Sequence, residues 1–428
     1  MLERLTIKNF KSIVDVSVDL GRFNVFIGEN GCGKTNILEA LAMFAAAKSH
    51  TLDNESLFSR GIRIAKPSIT FSSFVGREKK RTIAIECLFD PDTKVCAELR
   101  AQDPNDILSV WLDSVAFDNS KRLGLVKTIL EMGVASDVST IDQIKVNKGL
   151  FDSLLAYMQV SGKKLEEISD NEEIPVIPGA ARTSFVGLNE LIVPSILDSI
   201  GVANVADFLI YCLNTPALRG IQTQSRKSPL GIFGENLDIL ISQFTPDEIK
   251  ELQAYAYLIP WLQDFRIDAE DRLKFEGHKL GRSTSTLYFK DRFMGRRNNV
   301  FSAENANEGV LHVLFYLTLF ISGRTPKLFG IDNIETSLNP KVCRTLVKEL
   351  AVLARKHEKQ ALITTHNPAV LDGLNLYDDE QRLFVVSRSD EGHTRVKRIQ
   401  LKEKQEGESL KLSELWMRGV LGGLPVNF

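Results

Sequence analysis

The sequence lacks the features that mark disulfide-rich, membrane-spanning and strongly basic proteins. Its 428 residues hold only five cysteines, with no C-x-x-C pair, which argues against a disulfide framework or a zinc site and favours a reducing cytoplasm. No run of 18 uncharged apolar residues is present, so we expect no membrane span. Because 53 basic residues face 55 acidic ones, the chain is not a globally basic nucleic-acid binder, although a local basic groove stays open.

Within the first 48 residues, apolar and polar residues alternate at first, and two largely apolar runs follow. Residues 1–20 favour an antiparallel pair of half-buried strands and not a signal peptide. The run Phe23–Ile27 is almost wholly apolar, as in a central strand, and residues 36–48 contain the strong helix formers of a buried helix.

A glycine-rich loop, GENGCGKT at residues 28–35, joins this strand to this helix and fits the pattern G-x-x-x-x-G-K-[ST]. Its glycines let backbone N–H groups curl around phosphate oxygens, and the helix N-terminus favours an anion. We expect Lys34 to reach the β- and γ-phosphates and Thr35 to ligate Mg²⁺. Cys32 is either a small loop filler or a thiol whose oxidation blocks nucleotide binding. The residues expected to bind the nucleotide here are Asn30, Gly31, Gly33, Lys34 and Thr35.

Two later strands end in polar residues that suit the same site. The apolar strand 327–331 ends at Asp332, whose carboxylate is expected beside the phosphate loop as a Mg²⁺ ligand. The strand 361–365 ends at His366, whose imidazole is placed to contact the γ-phosphate. Together with the loop, these positions predict a site for ATP and Mg²⁺.

These segments carry a family resemblance. LTIKNFKSI, GENGCGKT, ENANEGVLHVL, IDNIETSLNP and TTHNP resemble the ABC-type ATPase heads of the RecF/SMC-like, OLD-type branch, also called AAA15 or AAA21 ATPases. The resemblance covers about 1–90 and 300–428, with a weaker echo at 214–237. It implies an α/β fold, an ABC-type P-loop ATPase head with a mixed sheet flanked by helices.

In that family two heads sandwich ATP, so the resemblance implies a homodimer and allows a higher oligomer. The loop of one subunit then faces the signature motif of the other, which falls on Asn307, Glu308 and Gly309. The D-loop falls on residues 337–340, and the switch histidine is His366.

One departure from the family pattern bears on catalysis. The family usually has Glu directly after the magnesium Asp, and here Asn333 stands there. A carboxamide lacks the basicity to polarise the attacking water, so we predict tight ATP binding and slow hydrolysis. Glu335 is a candidate substitute, and we take Asn333, Glu335 and His366 as the catalytic positions. No Q-loop glutamine can be assigned, because Gln222 and Gln224 lie too far along.

We predict four segments: 1–96 as the N-terminal lobe, 97–215 as a mainly helical insertion, 216–300 as a connection to the head, and 301–428 as the C-terminal lobe. Helices are predicted at 106–115, 121–133, 149–160, 193–200, 248–263, 308–322 and 340–357. An exposed loop is predicted at 169–184. Further strands are predicted at 68–75, 81–89, 272–277 and 285–291, and a hairpin at 382–401.

Two basic clusters, and the lack of a visible acidic cluster after His366, bear on the possible partners. The clusters could contact DNA phosphates, or form a solvated face or a partner-binding loop. After His366 no acidic D-x-D cluster on strands is visible, so a metal nuclease within this chain is not expected. The clusters are Arg219, Arg226 and Lys227, and Lys290, Arg292, Arg296 and Arg297.

Two functions compete at this stage. The first is a cytoplasmic ATPase that holds and regulates a separate effector, a nuclease or toxin, resembling the ATPase subunits of bacterial anti-phage systems such as Septu or PARIS. The second is a RecF-like, ATP-dependent DNA-binding clamp in repair. An ABC transport ATPase fits badly, because transporter heads are compact and lack a large insertion.

Overall fold

The computed structural model describes residues 1–76, 79–89, 93–117, 173–177, 181–184, 203–221, 229–401 and 411–422. The chain divides into two compact units. The first comprises Met1–Leu2, Cys87–Cys96 and Ala116–Ala206, and the second comprises Glu3–Glu86, Ala97–Val115 and Asp207–Phe428. All predicted site residues belong to the second unit.

The strands of the described residues, in chain order, are β1 Leu2–Phe10, β2 Ile13–Asp19, β3 Phe23–Ile27, β4 Ile83–Phe89, β5 Thr93–Ala101, β6 Trp111–Phe117, β7 Glu173–Ile177, β8 Ala181–Ser184, β9 Ile210–Tyr211, β10 Leu262–Ile267, β11 Leu287–Asp291, β12 Val300–Ser302, β13 Leu328–Ile331, β14 Gln360–Thr365, β15 Gln381–Arg388 and β16 Thr394–Ile399. The helices are α1 Lys34–Lys48, α2 Asn54–Ser59, α3 Ala203–Ala206, α4 Thr215–Leu218, α5 Leu237–Ser242, α6 Pro246–Ala254, α7 Arg272–Phe275, α8 Glu308–Ile321, α9 Pro340–Lys356 and α10 Leu412–Met417.

A six-stranded sheet positions the site, in the order β16-β15-β3-β14-β13-β9. β3 pairs in parallel with β14 and β15, β14 with β13, and β13 with β9, while β16 runs antiparallel to β15. Every residue of β3, β13 and β14 is buried, which explains their continuous apolar runs. The carboxyl ends of these parallel strands meet at one edge, where ligands bind in such sheets.

Helices cover both faces of this sheet. On one face, Phe23 and Phe329 pack against Phe320 of α8, with ring centroids 6.2 and 5.1 Å apart, in a core that α9 also joins. On the other face, a Cβ at Gly330 would stand 3.4 Å from Leu38 of α1. Neighbouring residues of a strand face opposite ways, so Phe329 and Gly330 mark the two layers.

Two antiparallel sheets complete the described fold. One has the order β2-β1-β4-β5-β6, and its first pair matches Ile7 with Val16, as the alternating pattern predicts. The other has the order β10-β11-β12. The predicted strands β1 to β4, β11, β13 and β14, the helices α1, α8 and α9, and the hairpin β15–β16 are confirmed.

Two element predictions near the insertion are wrong. Residues 106–115, predicted as a helix, form a turn followed by β6, because Asp103 and Asp106 accept hydrogen bonds from the backbone two residues on and close turns. The predicted loop 169–184 contains the antiparallel hairpin β7–β8. The described parts of 97–215 are thus mostly strand and not helix, and the predicted helices at 121–133, 149–160 and 193–200 lie outside the described residues.

Three further predictions fail for local reasons. Residues 68–75 are not a strand, because Pro67 starts a 3₁₀ turn and only Phe71 forms a bridge, to Phe10. Residues 272–277 form α7, whose backbone N–H at Leu273 is bound by the carboxylate of Asp268 at 2.8 Å. The predicted helix 248–263 ends at Ala254 and is followed by a 3₁₀ turn and β10. None of the described helices has the length and apolar character needed to cross a bilayer.

Candidate functional site

The glycine-rich loop connects β3 to α1 and depends on glycine at two positions. A Cβ at Gly28 would lie 2.1 Å from the carbonyl oxygen of Val386. Gly33 has φ of 108°, and a Cβ there would lie 2.2 Å from Oγ1 of Thr394. Larger residues at either position would displace the loop, so these close approaches fix its shape.

Lys34 folds back into the loop. It is the first residue of α1 and only 7% exposed, and its ammonium donates hydrogen bonds to the carbonyl oxygens of Gly28 at 2.8 Å and Glu29 at 2.9 Å. Its remaining contact is with the sulfur of Cys32 at 3.9 Å, and a buried cation whose partners carry no full negative charge suits an anionic ligand at the loop.

Asp332, at the end of β13, meets Thr35 of the loop. The Thr35 hydroxyl donates to the two carboxylate oxygens at 3.0 and 3.1 Å. Thr364 of β14 donates its hydroxyl to the same carboxylate. The structure therefore brings together the two predicted Mg²⁺ ligands, which are 297 residues apart in sequence, and their hard oxygen atoms are the kind that Mg²⁺ prefers.

The next residues in the chain differ in orientation. Asn333 has φ of 55°, its backbone N–H donates to Thr364 Oγ1 at 3.0 Å, and its carbonyl accepts bonds from Thr336. Glu335 is 8% exposed and points to the end of β14, where one carboxylate oxygen lies 2.9 Å from Nδ1 of His366. The structure thus pairs two of the predicted catalytic positions with each other.

The signature region lies at the start of α8. Asn307 caps this helix by accepting a hydrogen bond from the N–H of Gly309 at 2.8 Å. Ser337 of the predicted D-loop, with φ of 59°, donates its hydroxyl to Glu308 at 3.0 Å. Within the described residues, no hydrogen bond or ion pair joins this region to the phosphate loop of the same chain.

A cationic cavity beside the phosphate loop could not be foreseen from the sequence. It has a volume of about 770 Å³. Its lining contains no carboxylate and includes the basic residues Lys11, Arg63, Lys66, Lys79 and Arg388. Several positive charges thus line a cavity next to the loop, although the net charge of the chain is near zero.

Buried Glu39 of α1 organises part of this cavity. It is 0% exposed and accepts hydrogen bonds from the backbone N–H of Arg63 at 3.1 Å and from its guanidinium at 2.8 Å, and it also binds the ammonium of Lys11. Burial alone would raise the pKa of Glu39, but these two cations lower it below its ordinary value. The only sequence signal was an acidic residue within an apolar helix.

Two long-range contacts brace the loop from outside. Arg388 donates to the carbonyl oxygen of Gly31 at 2.8 Å, and Thr394 donates its hydroxyl to that of Cys32, also at 2.8 Å. The thiol of Cys32 is 1% exposed, and burial raises its pKa, which favours the loop-filler interpretation over the reactive thiol. Cys212, directly after β9, is exposed as a residue although neighbouring atoms partly cover its thiol, and this partial burial together with the nearby Asp332 raises the pKa of the thiol.

The basic clusters have separate surroundings. Arg219 donates to the carbonyl of Ala306 at 3.1 Å and Arg292 to that of Leu262 at 2.6 Å, so both help to position backbone. Lys290 and Arg296, together with Arg266, line a groove of about 440 Å³ on the sheet β10-β11-β12. Arg226, Lys227, Gln222 and Gln224 lie outside the described residues.

Near the end of the described chain, α10 packs on the core. Trp416 is 4% exposed, and Ser413 donates its hydroxyl to Asp372 at 2.8 Å. Met417 and Val420 are exposed. No group of three or more metal-binding side chains occurs among the residues that the structure describes.

Comparison with known proteins gives two family matches. Residues 1–179 match the AAA_15 model, an AAA ATPase domain, and residues 243–372 match the AAA_21 model, described as AAA domain, putative AbiEii toxin, Type IV TA system.

Curated relatives match a short part of the chain. It is 43% identical over 58 residues to the DNA replication and repair protein RecF of Listeria welshimeri, and 44% identical over 55 residues to that of Ligilactobacillus salivarius. Each alignment covers 13% of this chain, and they span only 16% and 14% of the two RecF proteins.

Among solved structures, the SMC head bound to the C-terminal winged-helix domain of ScpA superposes with a TM-score of 0.51 at 15% identity. The superposition covers 94% of this chain and 98% of that one, so the two share a fold.

Proposed function

We propose that this chain, which has the ABC-type P-loop fold, is an ATPase head of the RecF/SMC type that binds ATP with Mg²⁺ and hydrolyses it slowly. The observation that carries the proposal is the contact between Thr35 and Asp332, 3.0 Å, at the carboxyl edge of the sheet. In P-loop proteins, the protein ligands of a nucleotide-bound Mg²⁺ are a hydroxyl from the loop and a carboxylate at the end of another strand of the same sheet.

The cavity beside the loop suits the triphosphate. Lys34 is already held at the loop by weak carbonyl contacts that a phosphate oxygen can replace. Lys11 and Arg63, fixed by Glu39, supply further positive charge at the cavity wall. Bound Mg²⁺ would neutralise phosphate charge between Thr35 and Asp332.

The signature region supports a dimer with two nucleotides between the heads. The N-terminus of α8 is an anion-binding end, and Asn307, Glu308 and Gly309 make no hydrogen bond or ion pair with the phosphate loop of their own chain within the described residues. In the proposed dimer this helix end faces the nucleotide on the partner.

Dimerisation can be tested by light scattering with size-exclusion chromatography. We expect ATP and Mg²⁺ to convert the wild type from monomer to dimer. Gly309→Asp, which places a negative charge at the helix end, should block dimerisation. Gly309→Ala should permit it, because the nearest atom to an added Cβ is the side-chain oxygen of Asn307 at 3.1 Å, which has to shift by only a few tenths of an ångström. Dimerisation of Gly309→Asp equal to that of wild type would contradict the ATP sandwich.

We further propose that the ATP-bound dimer holds a separate effector, a nuclease or toxin, in a bacterial anti-phage system. Slow turnover supports this role, because ATP that is hydrolysed slowly keeps the dimer in its ATP-bound state for longer. ATP shifts the equilibrium between the two assembly states only through its different affinity for each of them. Asn333 in place of a general base supports slow turnover.

The effector proposal is tested by co-expression of a tagged chain with the untagged product of the adjacent gene. We expect this product to co-purify with the wild type and to be lost or released with Lys34→Ala. Equal recovery with both chains would show that nucleotide does not control the association. The AAA_21 description names a type IV TA system, which supports the search for a partner encoded by a neighbouring gene.

A second candidate function, a RecF-like DNA clamp, has one specific observation in its favour. The groove on the sheet β10-β11-β12 presents Arg266, Lys290 and Arg296, and none of these three has an ion pair with another described residue. Asp264 is the one acidic residue among those that line it. Three free cations around one groove suit a phosphate backbone.

DNA binding measured over a salt series separates the two functions. The clamp predicts ATP-dependent binding that weakens steeply with salt and falls in Lys290→Glu/Arg296→Glu. Lys250→Glu/Lys348→Glu, at exposed positions on α6 and α9, makes the same change in net charge and serves as the matched control. No salt-sensitive binding by the wild type, or an equal loss in the control, would favour the effector-holding function.

A further inference from the structure

Glu335 is a buried acidic side chain three residues after Asp332, at the carboxyl edge of the sheet. It lies one turn after β13, is 8% exposed and faces the end of β14. Tyr316 of α8 and Cys343 of α9 lie near it, and burial together with this carboxylate raises the pKa of both side chains. Both therefore stay neutral, and the carboxylate faces the polar end of β14.

The oxygens of Glu335 are already in use. Oε1 accepts the backbone N–H of His366 at 3.0 Å and lies 2.9 Å from Nδ1 of the same residue. Oε2 accepts the hydroxyl of Thr365 at 2.8 Å. A carboxylate that is buried, accepts two hydrogen bonds and lies against an imidazole is poorly placed to take a proton from water as well.

The same contacts fix the imidazole. An ionised carboxylate oxygen can only accept a hydrogen bond, so the 2.9 Å approach of Oε1 to Nδ1 of His366 favours a proton on Nδ1. Nε2 is then the ring nitrogen with a free lone pair, on a side chain that is 54% exposed at the carboxyl edge of the sheet. A carboxylate that orients a basic side chain in this way recurs in hydrolytic sites.

We propose that Glu335 is a positioning residue that holds His366 as its Nδ1–H tautomer, and that Nε2 of His366 is the base for the hydrolytic water. The inference rests on the proposed ATPase function. In the step, Nε2 takes a proton from water as the water oxygen bonds to the γ-phosphorus. The bond from that phosphorus to the bridging oxygen breaks, and ADP leaves with the electron pair. The imidazolium then returns its proton to solvent.

The assignment explains how Asn333 can replace the usual carboxylate without abolishing turnover. The Asn333 amide has no basicity, and the Glu335 carboxylate acts through His366, so catalysis depends on the imidazole. The lack of a carboxylate directly after Asp332 then accounts for slow hydrolysis by a site whose nucleotide-binding parts are complete.

The tautomer is measurable without nucleotide. In protein with ¹⁵N-labelled histidine, the signals that disappear in His366→Gln identify this residue among the six histidines. We expect a protonated Nδ1 and an unprotonated Nε2 in the wild type, and loss of this preference in Glu335→Gln, whose amide can donate to Nδ1. A wild-type His366 with its proton on Nε2 would overturn the proposal, whatever ATP does.

Single-turnover hydrolysis gives the second test. We expect Glu335→Gln to lower the rate roughly 10–100-fold, as for loss of an orienting partner, with little change in nucleotide affinity. His366→Gln should cost about 10²-fold or more, and the double variant no more than His366→Gln alone. Thr365→Val, which removes the bond to Oε2 and the one accepted from the N–H of Asn367 but keeps both contacts of His366 with Oε1, is the matched control and should stay within a few-fold of wild type.

The outcomes separate this inference from the ATPase proposal. A wild type that binds no fluorescent ATP analogue ends the ATPase proposal, while the tautomer experiment still tests the pair. Normal nucleotide binding with an unchanged rate in Glu335→Gln overturns the pair alone. Glu335→Asp, which keeps the carboxylate on a shorter stem, should recover part of the tautomer preference, and its failure to do so while folded would count against the carboxylate as the cause.

Discussion

Replacing Asn333 by glutamate tests why hydrolysis should be slow. The side chain of residue 333 follows Asp332 directly at the sheet edge, and its backbone contacts to Thr364 and Thr336 involve main-chain N–H and C=O groups that any residue retains. Asn333→Glu adds a carboxylate at the position where the family usually carries one. We expect it to accelerate hydrolysis by about 10²–10⁴-fold, the usual contribution of a general base.

The substitution also has a calculable cost. Asn333 adopts φ of 55°, in the left-handed region that asparagine tolerates and longer side chains disfavour. Glutamate there should destabilise the fold by about 1 kcal/mol, within the cost of roughly 1–2 kcal/mol for a left-handed residue. Asn333→Gln has the same length and the same backbone cost, so it isolates the effect of the charge.

The assay is release of phosphate under single-turnover conditions, with thermal unfolding of each variant as the check on strain. The reasoning requires that the glutamate and glutamine variants unfold alike and hydrolyse differently. Equal rates for the two variants, both well folded and both binding nucleotide, would refute the argument that residue 333 limits turnover.

Two other predictions follow from the surroundings of the loop. Glu39→Gln should lower the free energy of unfolding by about 2 kcal/mol at pH 7, since charged hydrogen bonds contribute about 1.5–3 kcal/mol and the partner Arg63 is largely exposed. The folded-state pKa of Glu39 lies below its ordinary value of 4.5, so the bonds to Lys11 and Arg63 stabilise the fold above pH 4.5. This stabilisation is lost as the pH falls through the folded-state pKa. Denaturant titrations should therefore give wild type and Glu39→Gln similar free energies of unfolding in acid. Exposed Cys212, beside Asp332, should be alkylated more slowly by iodoacetamide when ATP and Mg²⁺ are bound, as measured by mass spectrometry of the labelled peptide. An unchanged rate would show that the nucleotide does not cover this edge of the sheet.

The parts of the fold that sequence predicted are those with local signals. The apolar run of β3, the glycines of the loop and the helix formers of α1 lie within 26 residues, from 23 to 48, so pattern and position agree there. The exposed apolar residues Ile107, Leu108 and Leu112 misled the prediction of a helix, because they follow helical spacing without entering a core. Turn-forming aspartates decide that segment instead.

The site shows the same division. Asp332 was found because it ends an apolar strand in a chain that already has a phosphate loop, and parallel strands bring their carboxyl ends together. The orientation of Glu335 depends on its contact with His366, which is 31 positions away in the sequence. The bracing of the loop by Arg388 depends on its contact with Gly31, which is 357 positions away. Sequence spacing carries no information on such contacts, which the folded sheet alone creates.

Isothermal calorimetry with ATP and Mg²⁺ tests the central claim most directly. The account predicts that the wild type binds one nucleotide per chain, that Lys34→Ala binds much more weakly, and that Thr35→Val, nearly isosteric but without the hydroxyl, loses most of the Mg²⁺ dependence. A folded wild type that takes up no nucleotide, or a Lys34→Ala chain that binds as tightly as the wild type, would contradict it.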